Sequence, residues 1–282
     1  MRFDDIQTLN EGVVLNGGAE TAAFVVAVAE TYDAAPRQDA EGEHAWTALN
    51  AHNANVLFKQ LQPKVKVEFT PEDAYAISGG DETMAVRLML YDMLINHRLK
   101  IYTGHSDDHP HFSAKENVIF RTVHDYYTHA KLLKPFALGL KKVLADKHRL
   151  PTDKELRELL PHIDLAKAGN IGHAFTLRGE LNAFSTHVKL APNDAAPALF
   201  TEVVGQVCYY AACHNFPTQK AAILHGFDYQ NVGRALPGTP QQQRMSEVMR
   251  HIQAGEPVLD LHIRGHNQVR VSDLLAAVGQ RG

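Results

Sequence analysis

Carboxylates and imidazoles recur within three apolar helical patterns in the second half of the chain. The three segments span residues 123–129, 179–187 and 201–206. Their carboxylates and imidazoles are His124, Asp125, His129, Glu180, His187 and Glu202. An isolated ionised carboxylate in a core costs several kcal/mol or changes its protonation state, so Glu180 and Glu202 require partners there. A metal ion or a proton-transfer network would provide them, and we expect the segments to form one buried polar site between helices.

Imidazoles and carboxylates from separate helices are the ligands that Zn²⁺, Mn²⁺ or Fe²⁺ take in proteins. We therefore expect His124, His129 and His187 to bind such a divalent ion, with one carboxylate completing the set. The available carboxylates are Asp125, Glu180 and Glu202. The spacing matches no specific metal motif such as His-Glu-x-x-His, so the sequence does not identify the metal or establish that one binds.

The helix predicted over residues 113–133 carries the first segment. Ser113 and Glu116 form a capping-box pattern at its start, which gives Glu116 a structural role. Apolar side chains cover one arc of this helix, and polar side chains that include Arg121 and His124 cover the other. The polar arc either lines a site or is simply a face exposed to solvent.

The other two predicted helices carry polar residues among apolar ones. Over 177–190, Glu180 and His187 lie two turns apart with apolar neighbours on the same face. They belong either to the site or to a hydrogen-bonded pair with only a packing role. The helix over 196–214 is apolar almost all round, so it should be central to the fold.

Glu202 and Gln206 lie one turn apart on this central helix and are its only strongly polar side chains before its end. Glu202 either serves the site or accepts hydrogen bonds from a buried arginine, Arg121 or Arg178. We place both arginines and Gln206 among the residues that line the site. Gly205 permits a close approach by a neighbouring group.

The His124–Asp125 doublet is similar to that of the HD phosphohydrolases, whose helices carry a His, a His-Asp doublet and a later Asp on one metal site. His109 would be the first member and Asp164 the last. A doublet on its own has little specificity. The loop over 104–112 contains three histidines that would instead line the mouth of the site. These are His105, His109 and His111.

The three segments together resemble an uncharacterised protein family encoded by tailed bacteriophages. The shared patterns are His-Asp-x-x-x-His, Gly-Glu-x-x-Ala-x-x-x-His and Thr-Glu-x-x-Gly-Gln. The residues that carry the resemblance are His109, Pro110, residues 120–125, His129, Gly179, Glu180, Ala183, His187, Thr201, Glu202, Gly205 and Gln206. It covers residues 105–215 and, more loosely, 55–233, and Thr128 stands where the family more often has glycine. The resemblance implies a shared site and expression in a bacterial host's cytoplasm, and it brings no established activity.

The composition is that of an ordinary soluble protein, with 282 residues, 45% of them hydrophobic and 21% charged. The net charge is −4 and no Lys/Arg-rich block occurs, which argues against a broad nucleic-acid surface. Cys208 and Cys213 lie five apart in one predicted helix, a poor geometry for a disulfide. The N-terminus lacks an apolar signal core and no run of about 18 apolar residues occurs, so we expect a cytoplasmic protein without a membrane partner.

The hydrophobic periodicity predicts a mainly α fold of the α+β class, with a multi-helix core and a small sheet. Predicted helices cover residues 20–33, 44–61, 81–96, 113–133, 136–147, 152–161, 177–190, 196–214, 240–254 and 272–279. A further helix is predicted to begin at Pro217. Strands are predicted at 65–69, 99–103, 258–263 and 268–271. We divide the chain into N-terminal elements at 1–104, a motif-bearing core at 105–233 and an extension at 234–282, packed as one compact unit.

These observations favour a metal-dependent hydrolase, in which the ion lowers the pKa of a bound water and Glu202 or Glu180 acts as general base beside Asp125. The expected partner is a small-molecule or nucleotide substrate, first of all a phosphate ester, by analogy with the HD enzymes and from the phage resemblance. A non-haem iron oxygenase with two histidines and one carboxylate is the first alternative. A phage structural or host-binding protein, whose polar cluster only fixes helix packing, is the second. The sequence predicts no oligomeric state.

Overall fold

The apolar helix predicted near the start of the chain lies in the core of the fold. The computed structural model describes residues 18–72, 74–75, 82–129, 132–145, 151–163 and 177–279. Helix α1 (Ala19–Ala34) is buried at every position from 21 to 30, and elements from the second half of the chain pack around it. An apolar surface on all sides needs neighbours on all sides to remove it from water. None of the described helices is both long enough and apolar enough to cross a membrane.

The first half of the described chain alternates helices with two short strands. After α1 its elements are α2 (Glu43–His52), α3 (Phe58–Leu61), β1 (Lys66–Thr70), α4 (Glu82–Ile95), β2 (Arg98–Tyr102), α5 (Ala114–His129), α6 (Leu133–Val143) and α7 (Asp153–Leu159). A π-helical segment, Asn53–Leu57, joins α2 to α3 without a break, and a 3₁₀ turn, Leu160–His162, follows α7.

The second half begins with the two motif-bearing helical regions. Its elements are α8 (Leu177–Leu190), α9 (Ala196–Leu199), α10 (Gln206–Cys213), α11 (Pro240–Gln253), β3 (Val258–Ile263), β4 (His266–Arg270) and α12 (Val271–Ala277). A second π-helical segment, Phe200–Gly205, joins α9 to α10, so residues 196–213 are continuously helical. Such segments are rare, and they occur frequently at functional sites.

The two sheets of the described residues have two strands each. β1 and β2 pair in parallel, with Lys66 opposite Arg98, and α4 provides the crossover that a parallel pair requires. β3 and β4 form the predicted antiparallel hairpin, with a register shift between Asp260 and Ile263. The fold is therefore mainly α with a minor β component, as the hydrophobic pattern predicted.

Helix α5 is fixed from two sides by apolar packing. The largest apolar cluster joins it to α1, α8 and α11, and a second cluster joins it to β1 and β2. The largest cluster includes Phe24, Phe120, Phe184, Phe200 and Val248. The second includes Leu57, Leu99, Ile101, Ile119 and Val123. Because both clusters constrain α5, the polar residues on its remaining face have defined positions against α8.

A local signal fixes where α5 begins. The backbone N–H and the hydroxyl of Ser113 lie 2.8 and 2.6 Å from Oε2 of Glu116, and the backbone N–H of Glu116 lies 3.4 Å from Oγ of Ser113. This is the predicted capping box. The amide of Asn50 also donates to Oε1 of Glu116, which ties the start of α5 to α2. Glu116 therefore has a structural function.

The prediction that a helix begins at Pro217 is wrong. Residues 216–220 are not helical, and Ala221 forms an isolated parallel bridge with Gln38. Lys220 explains why this segment is extended, because its ammonium group donates to three carbonyls at the C-terminal end of α1. These carbonyls belong to Tyr32, Asp33 and Ala35. A cation there satisfies acceptors that the helix leaves unpaired and interacts favourably with the helix dipole.

Candidate functional site

The polar arc of α5 is largely withdrawn from solvent. Its buried members include Asn117, Thr128 and His129. Its partly exposed members are Arg121, His124 and Asp125. The explanation of this arc as a plain solvent-exposed face is therefore wrong, and the arc instead combines a buried part with a partly open rim.

His124 of α5 and Glu180 of α8 form an ion pair across the two helices. Nε2 of His124 lies 3.0 Å from Oε2 of Glu180, and the two side chains are 11% and 17% exposed. Burial lowers the pKa of His124, but the hydrogen bond and charge of Glu180 and the charges of Asp125 and Glu202 outweigh it. The pKa of His124 is therefore raised above its ordinary value.

His187 is fully buried and is held by a residue of another helical segment. Its Nε2 lies 3.3 Å from Oδ1 of Asn53, the first residue of the π-helical segment Asn53–Leu57. Because an amide oxygen faces the ring, Nε2 is the donor and Nδ1 keeps its lone pair. Burial, and then the charges of His124 and His52, hold the pKa of His187 well below 6.5, so its ring stays neutral.

Phe120 brings the imidazoles into one cluster. The ring centroids of His124 and His187 lie 5.9 Å apart, and both rings stack on Phe120 at 6.1 and 5.7 Å. The ring of His129 lies edge-on to that of His124 at 6.4 Å. The structure therefore brings together the three histidines that the sequence offered as metal ligands.

Glu202 lies on the π-helical segment Phe200–Gly205 and contacts the loop histidine His109. Its side chain is 6% exposed, and its Oε2 lies 3.3 Å from Nε2 of His109. The charge of Glu202 acts on the pKa of His124, as the charge of Glu180 does. The two glutamates of separate helices therefore lie on one electrostatically coupled site around His124.

Two residues of this segment fix its position against neighbouring parts of the fold. Thr201 donates from Oγ1 to the carbonyl of Ala222 at 2.7 Å. Gly205 faces the ring of Tyr32, and a Cβ at position 205 would lie 2.5 Å from Cδ2 of that ring. Gly205 therefore permits the expected close approach, and the approaching group is an aromatic side chain. The contact fixes Glu202 relative to α1.

Arg121 organises the loop that precedes α5. Its guanidinium donates to the carbonyls of Tyr102, Gly104 and His105 at 3.2, 2.7 and 3.2 Å. Burial lowers the pKa of Arg121, while the charges of Glu202 and Asp125 act in the opposite direction. Arg121 is thus electrostatically coupled to Glu202, and its hydrogen bonds go to the loop. The alternative in which Arg121 donates to Glu202 does not hold in the described structure.

The loop histidines divide into two kinds. His105 is exposed, and His111 lies 3.4 Å from the exposed carboxylate of Glu43. His109 is buried and faces Glu202. Of the three, His105 and His111 therefore lie towards the surface, and His109 does not. Asp164 and the side chain of Arg178 lie outside the described residues.

The site contains buried polar atoms that have no hydrogen-bond partner in the described structure. They include Nδ1 of His124, Nδ1 of His187, Oε2 of Glu202 and the amide nitrogen of Gln206. The described residues contain no group of three His, Cys, Asp or Glu side chains placed to hold a metal ion. Nδ1 of His124 and Nδ1 of His187 thus have unused lone pairs when the rings are neutral, but the described residues do not place three ligands around one point. The arrangement suits proton transfer as it stands.

Asn53 is a site residue that the sequence interpretation missed. It lies four residues from both Leu49 and Leu57, which are buried on the same side of the helix. An amide within an apolar stripe was the available signal. The burial of His109 had no comparable signal, because it depends on contacts made by a loop.

Comparisons with protein-family models, curated proteins and solved structures found no significant match to this chain. The chemistry of the site must therefore be inferred from its own geometry. A carboxylate-oriented imidazole with a raised pKa can donate a proton, a buried carboxylate can accept one, and a neutral imidazole can orient a hydroxyl group.

Proposed function

We propose that this chain is a hydrolase that activates water by general acid–base catalysis at His124, Glu180 and Glu202. The His124–Glu180 pair carries the proposal. Glu180 holds Nε2 of His124 at 3.0 Å, while Nδ1 of the ring has no hydrogen-bond partner. A carboxylate that binds one ring nitrogen orients the imidazole and leaves the other nitrogen for proton transfer.

His124 is the proton donor in this proposal. Its raised pKa favours the imidazolium, which carries protons on both ring nitrogens. Donation from Nδ1 to a leaving-group oxygen produces the neutral ring, which keeps its proton on Nε2 in the hydrogen bond to Glu180. The ring then accepts a proton from solvent to begin the next cycle.

Glu202 is the base that takes a proton from the attacking water. Its carboxylate is buried, has an unpartnered Oε2 and acts on the pKa of His124. His187 orients rather than titrates, because its lowered pKa keeps the ring neutral and Nδ1 can accept a hydrogen bond. An acid and a base in one site are what hydrolysis of an ester or phosphoester requires.

Phosphate esters and nucleotides are the substrate class that we propose to test first. This choice follows from the His124–Asp125 doublet and from the resemblance to phage-encoded proteins, which also suggests action in a bacterial host's cytoplasm. Purified protein would be assayed with p-nitrophenyl phosphate, its diester, nucleotides and carboxylic esters, beside His124→Gln and Glu202→Gln. Hydrolysis that both substitutions abolish supports the proposal, and equal activity in all three proteins contradicts it.

A metal-dependent hydrolase is the second candidate, and one observation favours it. Ligating histidines usually donate their other ring N–H to a carboxylate or a carbonyl. His124 and His187 both have this arrangement, through Glu180 and Asn53, with Nδ1 unpartnered. These two histidines, with His129 or Glu202 as a further ligand, would hold Zn²⁺, Mn²⁺ or Fe²⁺. Such an ion lowers the pKa of bound water towards neutrality.

Elemental analysis of protein purified without a metal-affinity tag separates the candidates. Stoichiometric zinc or manganese, with hydrolysis that chelation removes, supports the metal-dependent enzyme. Iron with oxygen-dependent turnover supports the oxygenase, whereas hydrolysis that survives verified metal removal supports acid–base catalysis alone. Protein with neither metal nor hydrolysis supports the structural or host-binding alternative.

A further inference from the structure

His109 lies in the loop between β2 and α5, and its imidazole is enclosed on the inside of that loop. The side chain is 0% exposed. The ring of Phe112 stacks on it with a centroid separation of 4.5 Å, and the ring of Trp46 lies at 5.0 Å. The imidazole therefore cannot turn towards solvent without opening this packing.

The loop backbone determines which nitrogen of His109 carries the proton. Nδ1 accepts hydrogen bonds from the backbone N–H groups of His111 and Phe112, at 3.1 and 2.8 Å. A ring nitrogen that accepts a hydrogen bond carries no proton, so the neutral ring is protonated at Nε2. Protonation of Nδ1 would break both backbone bonds. Two independent donors thus select a single tautomer.

The protonated nitrogen of His109 faces Glu202. Nε2 lies 3.3 Å from Oε2 of Glu202, and neither atom has a hydrogen-bond partner in the described structure. A nitrogen that carries a proton has no lone pair for a metal ion. This tautomer is therefore incompatible with the role of first metal ligand that the analogy with HD phosphohydrolases offered to His109.

We propose that His109 is a positioning residue, which uses its backbone-selected Nε2–H to hold the Glu202 carboxylate in one orientation. The proposal rests on the proposed function, because it assigns Glu202 the role of base. The loop donates to Nδ1 and leaves the Nε2 proton beside the Glu202 carboxylate, so the conformation of the loop controls the base through one imidazole. The rings of Trp46 and Phe112 pack on the imidazole and shield its contact with Glu202 from solvent.

NMR of ¹⁵N-histidine-labelled protein tests the geometry without any assay of activity. We expect the signals of one imidazole that is protonated at Nε2 and unprotonated at Nδ1. These signals should be missing from the spectrum of His109→Gln, which assigns them to His109. In Glu202→Gln the proton signal of this Nε2–H should move upfield, because a neutral amide replaces the carboxylate acceptor. A protonated Nδ1, or an Nε2 proton that Glu202→Gln leaves unchanged, would overturn the proposal.

Two substitutions separate positioning from a merely structural role. His109→Asn retains an acceptor near the position of Nδ1 but lacks the donor, whereas His109→Gln retains a donor near the position of Nε2. Positioning predicts that His109→Asn lowers kcat about ten- to a hundredfold with KM nearly unchanged, as expected for loss of a hydrogen bond to a charged group. His109→Gln should retain most of kcat. A purely structural role predicts the reverse order.

The two measurements distinguish failure of this proposal from failure of the proposed function. If the wild-type protein shows no hydrolysis but gives the expected NMR signals, the enzymatic role is refuted and the His109–Glu202 contact is supported. If hydrolysis depends on His124 and Glu202 but His109 has the opposite tautomer, only the positioning role is refuted. Should His109→Asn fail to fold, the comparison of wild type with Glu202→Gln still decides the geometry.

Discussion

The imidazole rings of His124 and His187 lie 5.9 Å apart, on α5 and α8, and their pKa values are displaced in opposite directions. His124 faces the carboxylates of Glu180, Asp125 and Glu202, which favour its charged form. His187 faces an amide and two other imidazoles, so burial dominates and its charged form is disfavoured. His124 is therefore the imidazole that can supply a proton, and His187 remains a neutral hydrogen-bonding group.

The opposite displacements predict opposite pH dependence of stability. The unfolded chain protonates His187 below pH 6.5 while the folded chain does not, so the stability due to His187 is present above pH 6.5 and is lost as pH falls. The stability due to the charge of His124 is present below pH 6.5 and is lost as pH rises through its folded pKa. Urea unfolding of wild type, His124→Gln and His187→Gln between pH 5 and 8 measures both effects.

In that experiment the advantage of wild type over His187→Gln should shrink towards pH 5. Its advantage over His124→Gln should shrink towards pH 8. Parallel stability curves for all three proteins would show that these imidazoles do not have the described environments.

Replacement of Glu180 by Gln should lower the pKa of His124, because it removes the negative charge and leaves the burial that opposes protonation. NMR titration of labelled histidines measures the change. Glu43→Gln is the matched control, since that carboxylate pairs with His111 at the surface. An unchanged pKa of His124 in Glu180→Gln would mean that the 3.0 Å pair does not persist in solution.

Asn53→Leu should destabilise the fold by about 1–3 kcal/mol, because the buried Nε2–H of His187 loses its acceptor. Asn53→Asp should instead raise the pKa of His187 by placing a negative charge beside it. Denaturant unfolding and histidine NMR measure the two effects. The control is Asn55→Leu in the same π-helical segment, where the side chain is exposed and should tolerate the change.

Gly205→Ala should destabilise the protein by about 1–3 kcal/mol through overpacking, although alanine favours an ordinary helix position. The added Cβ would lie 2.5 Å from Cδ2 of Tyr32, which its neighbours hold in the core. Tyr32→Leu removes the opposing ring, so the double variant should be more stable than the sum of the two single effects predicts. Simple additivity in thermal or urea unfolding would contradict the contact.

If the metal candidate is correct, His187→Ala and Glu202→Gln should behave differently. The first removes an imidazole ligand and should lose both metal and activity. The second keeps the shape of the side chain while removing its charge, so it should lose turnover and retain most of the metal. Metal content measured beside activity distinguishes them. Loss of metal in Glu202→Gln with retention in His187→Ala would reverse the assigned roles.

The amino-acid sequence by itself determined most of the local structure. Periodicity over residues 177–190 and 196–214 predicted two helices with buried polar residues, and Ser113 with Glu116 predicted the start of α5. These features depend on neighbours within about two helical turns, which the sequence displays directly. The segment after Pro217 departs from prediction because Lys220 binds the distant end of α1.

Only the tertiary structure decided how the polar residues pair. Glu180 pairs with His124, and His187 forms a hydrogen bond with Asn53. The sequence pattern shows only that Glu180 and His187 share one helix face. His109 reaches Glu202 from a loop whose burial no periodicity signals. Helical spacing determines which side chains share a face of one helix. The partner of each side chain depends on where a second element crosses that face, and the packing of the whole core sets the position of this crossing.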